Sequence, residues 1–117
     1  MPLIKVQTSV PAPEQIQIGD LLRSLSASLT KHLSKPESYV MTVFEPDTAM
    51  TFAGSFEPSC YVEVKSVGNM TAAQTSSMSQ DFCQQIEQAL EVPKNRIYIE
   101  FTNARGELWG WNGFTFG

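Results

Sequence analysis

Two stretches of this chain carry apolar residues three and four positions apart, the mark of one buried helix face. Ile18, Leu21, Leu22, Leu25, Leu29 and Leu33 form the first stretch; Met70, Ala73, Met78, Phe82, Ile86, Ala89 and Leu90 form the second. Pro13 suits the first turn of the first helix. Ser34-Lys35-Pro36 ends that helix and Pro93 ends the second, because a residue before proline is pushed out of the helical region. The segments that follow echo each other. Pro36-Glu37-Ser38-Tyr39-Val40 with Phe44 matches Pro93-Lys94-Asn95-Arg96-Ile97 with Phe101 at an offset of 57 positions.

Strand signals flank both helices. Leu3 to Thr8 alternates Ile4 and Val6 against Lys5 and Gln7. Cys60 to Val67 alternates Val62 and Val64 against Glu63 and Lys65, and Gly68-Asn69 turns the chain after it. Tyr39 to Glu45 and Arg96 to Thr102 are the other two strands expected, with Thr51-Phe52-Ala53 a short strand in the loop 46–59. Ala104-Arg105-Gly106 is a turn before the aromatic segment Leu108-Trp109-Gly110-Trp111. The order is β-α-β, loop, β-α-β, tail, an α+β chain. Two such repeats, about 2–45 and 60–102 with a tail at 103–117, imply right-handed crossovers in one four-stranded sheet with both helices on one face. The strands carry apolar residues on both sides, so the uncovered face calls for a partner, and copies of the same chain are the simplest supply.

At 117 residues the chain is expected to form one domain, 1–117. Eight Lys and Arg against 12 Asp and Glu give a net charge of −4 without basic clusters, which argues against nucleic-acid and anionic-membrane partners. No apolar stretch reaches membrane-span length and no basic-then-apolar leader opens the chain, so a cytoplasmic location is expected. Cys60 and Cys83 are the only cysteines and form no C-x-x-C pair, so they read as buried thiols. His32 stands alone, which leaves no set of metal ligands, and no glycine-rich phosphate loop follows a strand; neither metal nor cofactor is expected.

Pro2 precedes the first strand. A small second residue usually permits removal of Met1, and the chain would then begin with a secondary amine anchored by a strand and fixed in its ring geometry. An anchored, titratable nitrogen is a candidate general base.

Here a resemblance becomes specific. Met1-Pro2-Leu3, Ser34-Lys35-Pro36, Ser66-Val67-Gly68, Arg96-Ile97-Tyr98-Ile99, Gly110-Trp111-Asn112 and Thr115-Phe116 occur in one order across the whole chain. Their order and spacing resemble the macrophage migration inhibitory factor family of the tautomerase superfamily. The resemblance implies a ring-shaped homotrimer with sites at subunit interfaces and keto–enol tautomerisation of small aromatic α-keto acids such as phenylpyruvate. It implies Pro2 as the general base, Lys35 as the partner of the substrate carboxylate, and the backbone N–H of Val67 as a donor to oxygen. It also implies Trp111 and Phe116 as an apolar wall, and Tyr98 as a residue reaching a neighbouring subunit's site.

Glu100 stands where mammalian members carry asparagine, and Lys65 replaces a histidine near the mouth, a second cation able to offset Glu100. Pro58-Ser59-Cys60-Tyr61-Val62 lacks the mammalian C-x-x-C, so no thiol-oxidoreductase activity carries over. Two other readings stay open: a cytokine-like binding protein using the trimer surface, and a hydratase or dehalogenase with Glu100 activating water.

Overall fold

The computed structural model describes residues 1–117 and is built from β1 (Leu3–Thr8), α1 (Gln15–Leu33), β2 (Met41–Glu45), β3 (Cys60–Val67), α2 (Ala72–Leu90) and β4 (Ile97–Ala104). A small hairpin of β5 (Gly110–Trp111) and β6 (Phe114–Thr115) follows. The main sheet runs in the order β2-β1-β3-β4. β1 is parallel to β2, β3 is parallel to β4, and the two repeats meet at an antiparallel β1–β3 seam that pairs Leu3 with Lys65 and Thr8 with Cys60. The α+β fold expected from the repeat is therefore the fold observed.

Alternation in the strands decides what is covered. Ile4, Val6, Val62 and Val64 are fully buried, as are Leu25 and Leu29 of α1 and Met78, Phe82 and Ile86 of α2. Both helices thus lie on one face of the sheet and form one core with it. His32 of α1 meets Asp81 of α2 at 2.7 Å, so the lone histidine is a helix-to-helix tie. No helix is long and apolar enough to cross a membrane.

Several boundaries differ from expectation, each for a local reason. α1 begins at Gln15, not in the turn containing Pro13, because Glu14 and Gln17 form a capping box that starts the helix there. β2 and β4 each start two positions or one position later than expected, at Met41 and Ile97. Pro36 and Pro93 each lead into a single 3-10 turn, Glu37–Tyr39 and Lys94–Arg96, closed by the Val40 and Ile97 N–H groups donating back to the Glu37 and Lys94 carbonyls. The echo at 57 positions is thus a repeated turn as well as a repeated strand. β4 runs on through Ala104, so the expected turn begins only at Arg105. Phe52 makes only a single bridge, to Ser55, and is not part of a strand.

The uncovered face carries charged as well as apolar residues. Lys5, Gln7, Glu63, Lys65 and Glu100 share it by register and alternation, and Glu63 lies 3.5 Å from Lys5 and 3.6 Å from Lys65. Leu3, Met41, Val43, Tyr61 and Tyr98 share the face as well, so apolar residues do lie on both sides of the sheet, with a charged cluster at the centre of the open side. Lys65 pairs with Glu63 on this face.

Phe82 packs in the middle of the core with no exposed surface. Phe82→Ala is expected to destabilise the fold by about 3–5 kcal/mol. Urea unfolding at a fixed chain concentration checks this; a loss well under about 1 kcal/mol would contradict the packing described.

Candidate active site

The end of β1 where the chain begins also receives the ends of β3 and α1. Pro2 is fully buried there, and its carbonyl accepts a hydrogen bond from the Met41 N–H at 3.1 Å, tying it to the start of β2. The β1–β3 ladder stops at Leu3–Lys65, leaving Val67 just beyond it. Successive N–H groups of a strand point to opposite edges. The Gly68 N–H donates to the Ala104 carbonyl of β4 at 3.1 Å, so the Val67 N–H turns the other way, toward Pro2.

Lys35 arrives from the helix end. Ser34 caps α1 in the left-handed conformation, at φ 53°, and turns the chain so that Lys35 reaches β3. Its Nζ donates to the Val67 carbonyl at 3.1 Å. Gly68 has φ of 118°, a conformation L side chains rarely adopt, so the strand can turn off directly beside the lysine. One cation, one backbone N–H and the chain terminus therefore converge at this end of the sheet.

The terminal amine in this structure belongs to Met1. Burial, and next the Lys35 charge, hold it below the ordinary α-amino value of 8.0. Both causes disfavour the ammonium form and act at the mouth where a Pro2 amine would stand. With Met1 attached, the Pro2 nitrogen is an amide and accepts no proton.

The apolar wall comes from the tail. Asn112 and Gly113, at φ 53° and 84°, make a tight turn that folds β6 back on β5. The Phe116 N–H donates to the carbonyls of Gly106 and Trp109, at 3.1 and 3.2 Å. This sets the Phe116 ring against that of Trp111, with centroids 5.7 Å apart and planes 14° apart. Tyr39 closes the group edge-on, 5.3 Å from Trp111 and 6.0 Å from Phe116. A cleft of about 180 Å³ lies among Met1, Ser38, Tyr39, Val40, Met41, Trp109, Trp111 and Phe116. A hollow of about 360 Å³ between the helices is larger, but Gln17, Asp20, Ser24, Gln85 and Gln88 make it mostly polar and it is remote from the terminus.

Five of the residues named from the sequence therefore gather at one end: Pro2, Lys35, Val67, Trp111 and Phe116. Tyr98 does not join them. It pairs with Tyr61 at the opposite end of β3, six residues from Val67, which is about 20 Å along a strand. Tyr39 was missed by sequence reasoning; its only signal was an aromatic ring one turn beyond Lys35-Pro36. Glu100 is held by the Thr102 hydroxyl at 3.0 Å on the open face, and no carboxylate of this chain lines the cleft. Burial, with a smaller push from Cys83, raises the Cys60 thiol to about 12, and burial also raises Cys83, so both thiols are poor nucleophiles.

A buried terminus, a nearby cation and an aromatic wall on a two-repeat sheet define a tautomerase-type module. The family model described as macrophage migration inhibitory factor (MIF) matches residues 1–117, and the chain belongs to that family, within the tautomerase superfamily. It is 34% identical over 116 residues to the macrophage migration inhibitory factor homolog of Trichinella spiralis, covering 99% of this chain and 100% of the relative. It is also 34% identical to the macrophage migration inhibitory factor of Meriones unguiculatus, covering 99% of each. Among solved structures, the homologue from Prochlorococcus marinus superposes with a TM-score of 0.94 at 49% identity, covering 98% of this chain and 99% of that one.

Lys35→Ala should move the terminal amine's titration midpoint upward, toward 8.0, since a cation that disfavours the ammonium is removed. The shift should be partial, because burial is the larger cause. The pH dependence of N-terminal acylation measures it; an unmoved midpoint would show that Lys35 is electrostatically remote.

Proposed function

We propose that this chain, once Met1 is removed, is a keto–enol tautomerase for aromatic α-keto acids such as phenylpyruvate, with Pro2 as general base. The observation that carries the reading is the setting of the terminus: buried, beside Lys35, and facing the Tyr39–Trp111–Phe116 wall. Burial and the Lys35 charge, which lower the terminal amine here, would both disfavour the ammonium form of a Pro2 amine, the direction that a general base working near neutral pH needs. Lys35 and the Val67 N–H bind the substrate carboxylate, and the aromatic wall takes the ring. The Pro2 nitrogen removes a proton from the carbon beside the carbonyl. The C–H electron pair forms a new C=C bond, the C=O pair moves onto oxygen, and the proton held by Pro2 is passed through water to that oxygen, which completes the enol and frees the base. The reverse path returns the keto form.

The cleft of about 180 Å³ is small beside the 300 Å³ or more usual for ligand sites, which supports a second wall from another subunit. Tyr98, 64% exposed and stranded at the far end of the sheet, is the residue we assign to that wall, in a homotrimer. The hydratase or dehalogenase reading has less support, since Glu100 is engaged on the open face of its own chain.

Pro2→Gly should lower phenylpyruvate tautomerisation by about 10²-fold or more while leaving assembly intact. Unchanged turnover in that variant would remove Pro2 from the mechanism. Mixing Pro2→Gly and Tyr98→Ala chains and allowing them to reassemble tests the shared site. Sites pairing an intact Pro2 with an intact Tyr98 then form across the boundary, in about a quarter of cases. Activity should rise above the mean of the two parents; a rise of zero, or a monomer by sedimentation, would place both residues in one chain's site or end the shared-site reading.

A further inference from the structure

The Arg96 side chain is engaged far beyond what a surface arginine requires. Its Nε donates to the Pro58 carbonyl at 2.8 Å and its Nη1 to the Phe52 carbonyl at 3.3 Å. Its Nη2 reaches the Ser55 and Glu57 carbonyls, at 3.2 and 3.0 Å, and the Ser59 hydroxyl at 3.0 Å. All five acceptors lie in one loop. A planar guanidinium can serve them together, with the two Nη2 hydrogens shared among three acceptors, whereas an ammonium, whose three donors radiate from one point, cannot.

The loop needs such a clamp. Phe52 and Ser55 exchange two backbone hydrogen bonds of 3.0 Å across Ala53 and Gly54, which stand at φ 52° and 73°. Alanine keeps a left-handed conformation only where its surroundings hold it there. The far end is pinned separately, since the Thr8 hydroxyl donates to the Ser59 carbonyl at 2.9 Å.

The clamped loop presents one aromatic ring. The Arg96 guanidinium carbon sits 5.4 Å from the centre of the Phe52 ring, and that ring lies 5.0 Å from the ring of Tyr98 at 56°. Tyr98 is otherwise largely exposed, and an exposed side chain keeps one orientation only when a neighbour restrains it.

We propose that Arg96 is a positioning residue for Tyr98: it clamps the Phe52–Ser59 loop, the held Phe52 ring backs the Tyr98 ring, and Tyr98 is thereby presented in one orientation to the neighbouring subunit's cleft. The proposal rests on the reading that Tyr98 completes that cleft. Arg96 touches no substrate; its effect passes through Phe52.

The experiment uses the full chain with Arg96→Gln, Arg96→Lys and Phe52→Leu. Two readouts are taken: phenylpyruvate kinetics, and the fluorine NMR signal of 3-fluorotyrosine placed at position 98. Each variant should raise KM about tenfold, as expected when a substrate-contacting group loses its placement, and leave the pH–rate midpoint unmoved. The fluorine signal should narrow and move toward that of free fluorotyrosine. Arg96→Lys should not rescue, because it keeps the charge and loses the fork. Arg96→Gln should add nothing in a Tyr98→Ala background.

Wild-type KM in Arg96→Lys, full additivity with Tyr98→Ala, or an unmoved fluorine signal in Phe52→Leu would each overturn the proposal. If Arg96→Gln fails to fold, Phe52→Leu decides, since it keeps every loop hydrogen bond. If the wild-type chain turns over no keto acid, the functional reading fails alone, and the fluorine signal still decides whether Arg96 positions Tyr98.

Discussion

The antiparallel pairing of β1 with β3 is the constraint on which the rest depends. It joins the two repeats, and its register places Leu3 opposite Lys65. That pairing brings the start of the chain and the end of β3 to the same end of the sheet, so Pro2 and Val67 lie close together. A slip of one residue would turn Ile4 and Val6 out of the core and Lys5 into it. Four fully buried valines and isoleucines on the two strands therefore hold the site as firmly as they hold the fold.

Much of this was written in short-range patterns. The bounds of β1 and β3 were legible because alternation is strict there, and the helix faces because Leu21, Leu25, Leu29 and Leu33 repeat every turn. What was not legible depended on contacts between distant segments or on capping. The start of β2 is set by a 3-10 turn after Pro36, and periodicity does not register a single turn. Tyr39 joins the site only because the tail folds back over it, 72 positions later at Trp111. The open face holds Leu3, Tyr61 and Tyr98, but the pairing of Glu63 with Lys5 and Lys65 that makes its centre polar depends on the register between strands, which local alternation does not give.

The site's parts divide the chemistry by origin. The first repeat supplies the terminus, the cation and Tyr39, the second supplies the backbone donor, and the tail supplies the rest of the aromatic wall. The one residue that no local element brings in is Tyr98, held at the far end of the sheet by a clamped loop. A chain that places a small cleft at one end of its sheet and a restrained tyrosine at the other suits the trimer proposed above.

The central claim is that the Pro2 nitrogen becomes a base only when it is freed. Preparations with graded fractions of Met1 removed by a methionine aminopeptidase, quantified by intact mass, test it directly. Phenylpyruvate turnover should rise in proportion to the Met1-free fraction and vanish when Met1 is retained on every chain. Equal turnover by chains that keep Met1 would contradict the account, because their Pro2 nitrogen is an amide.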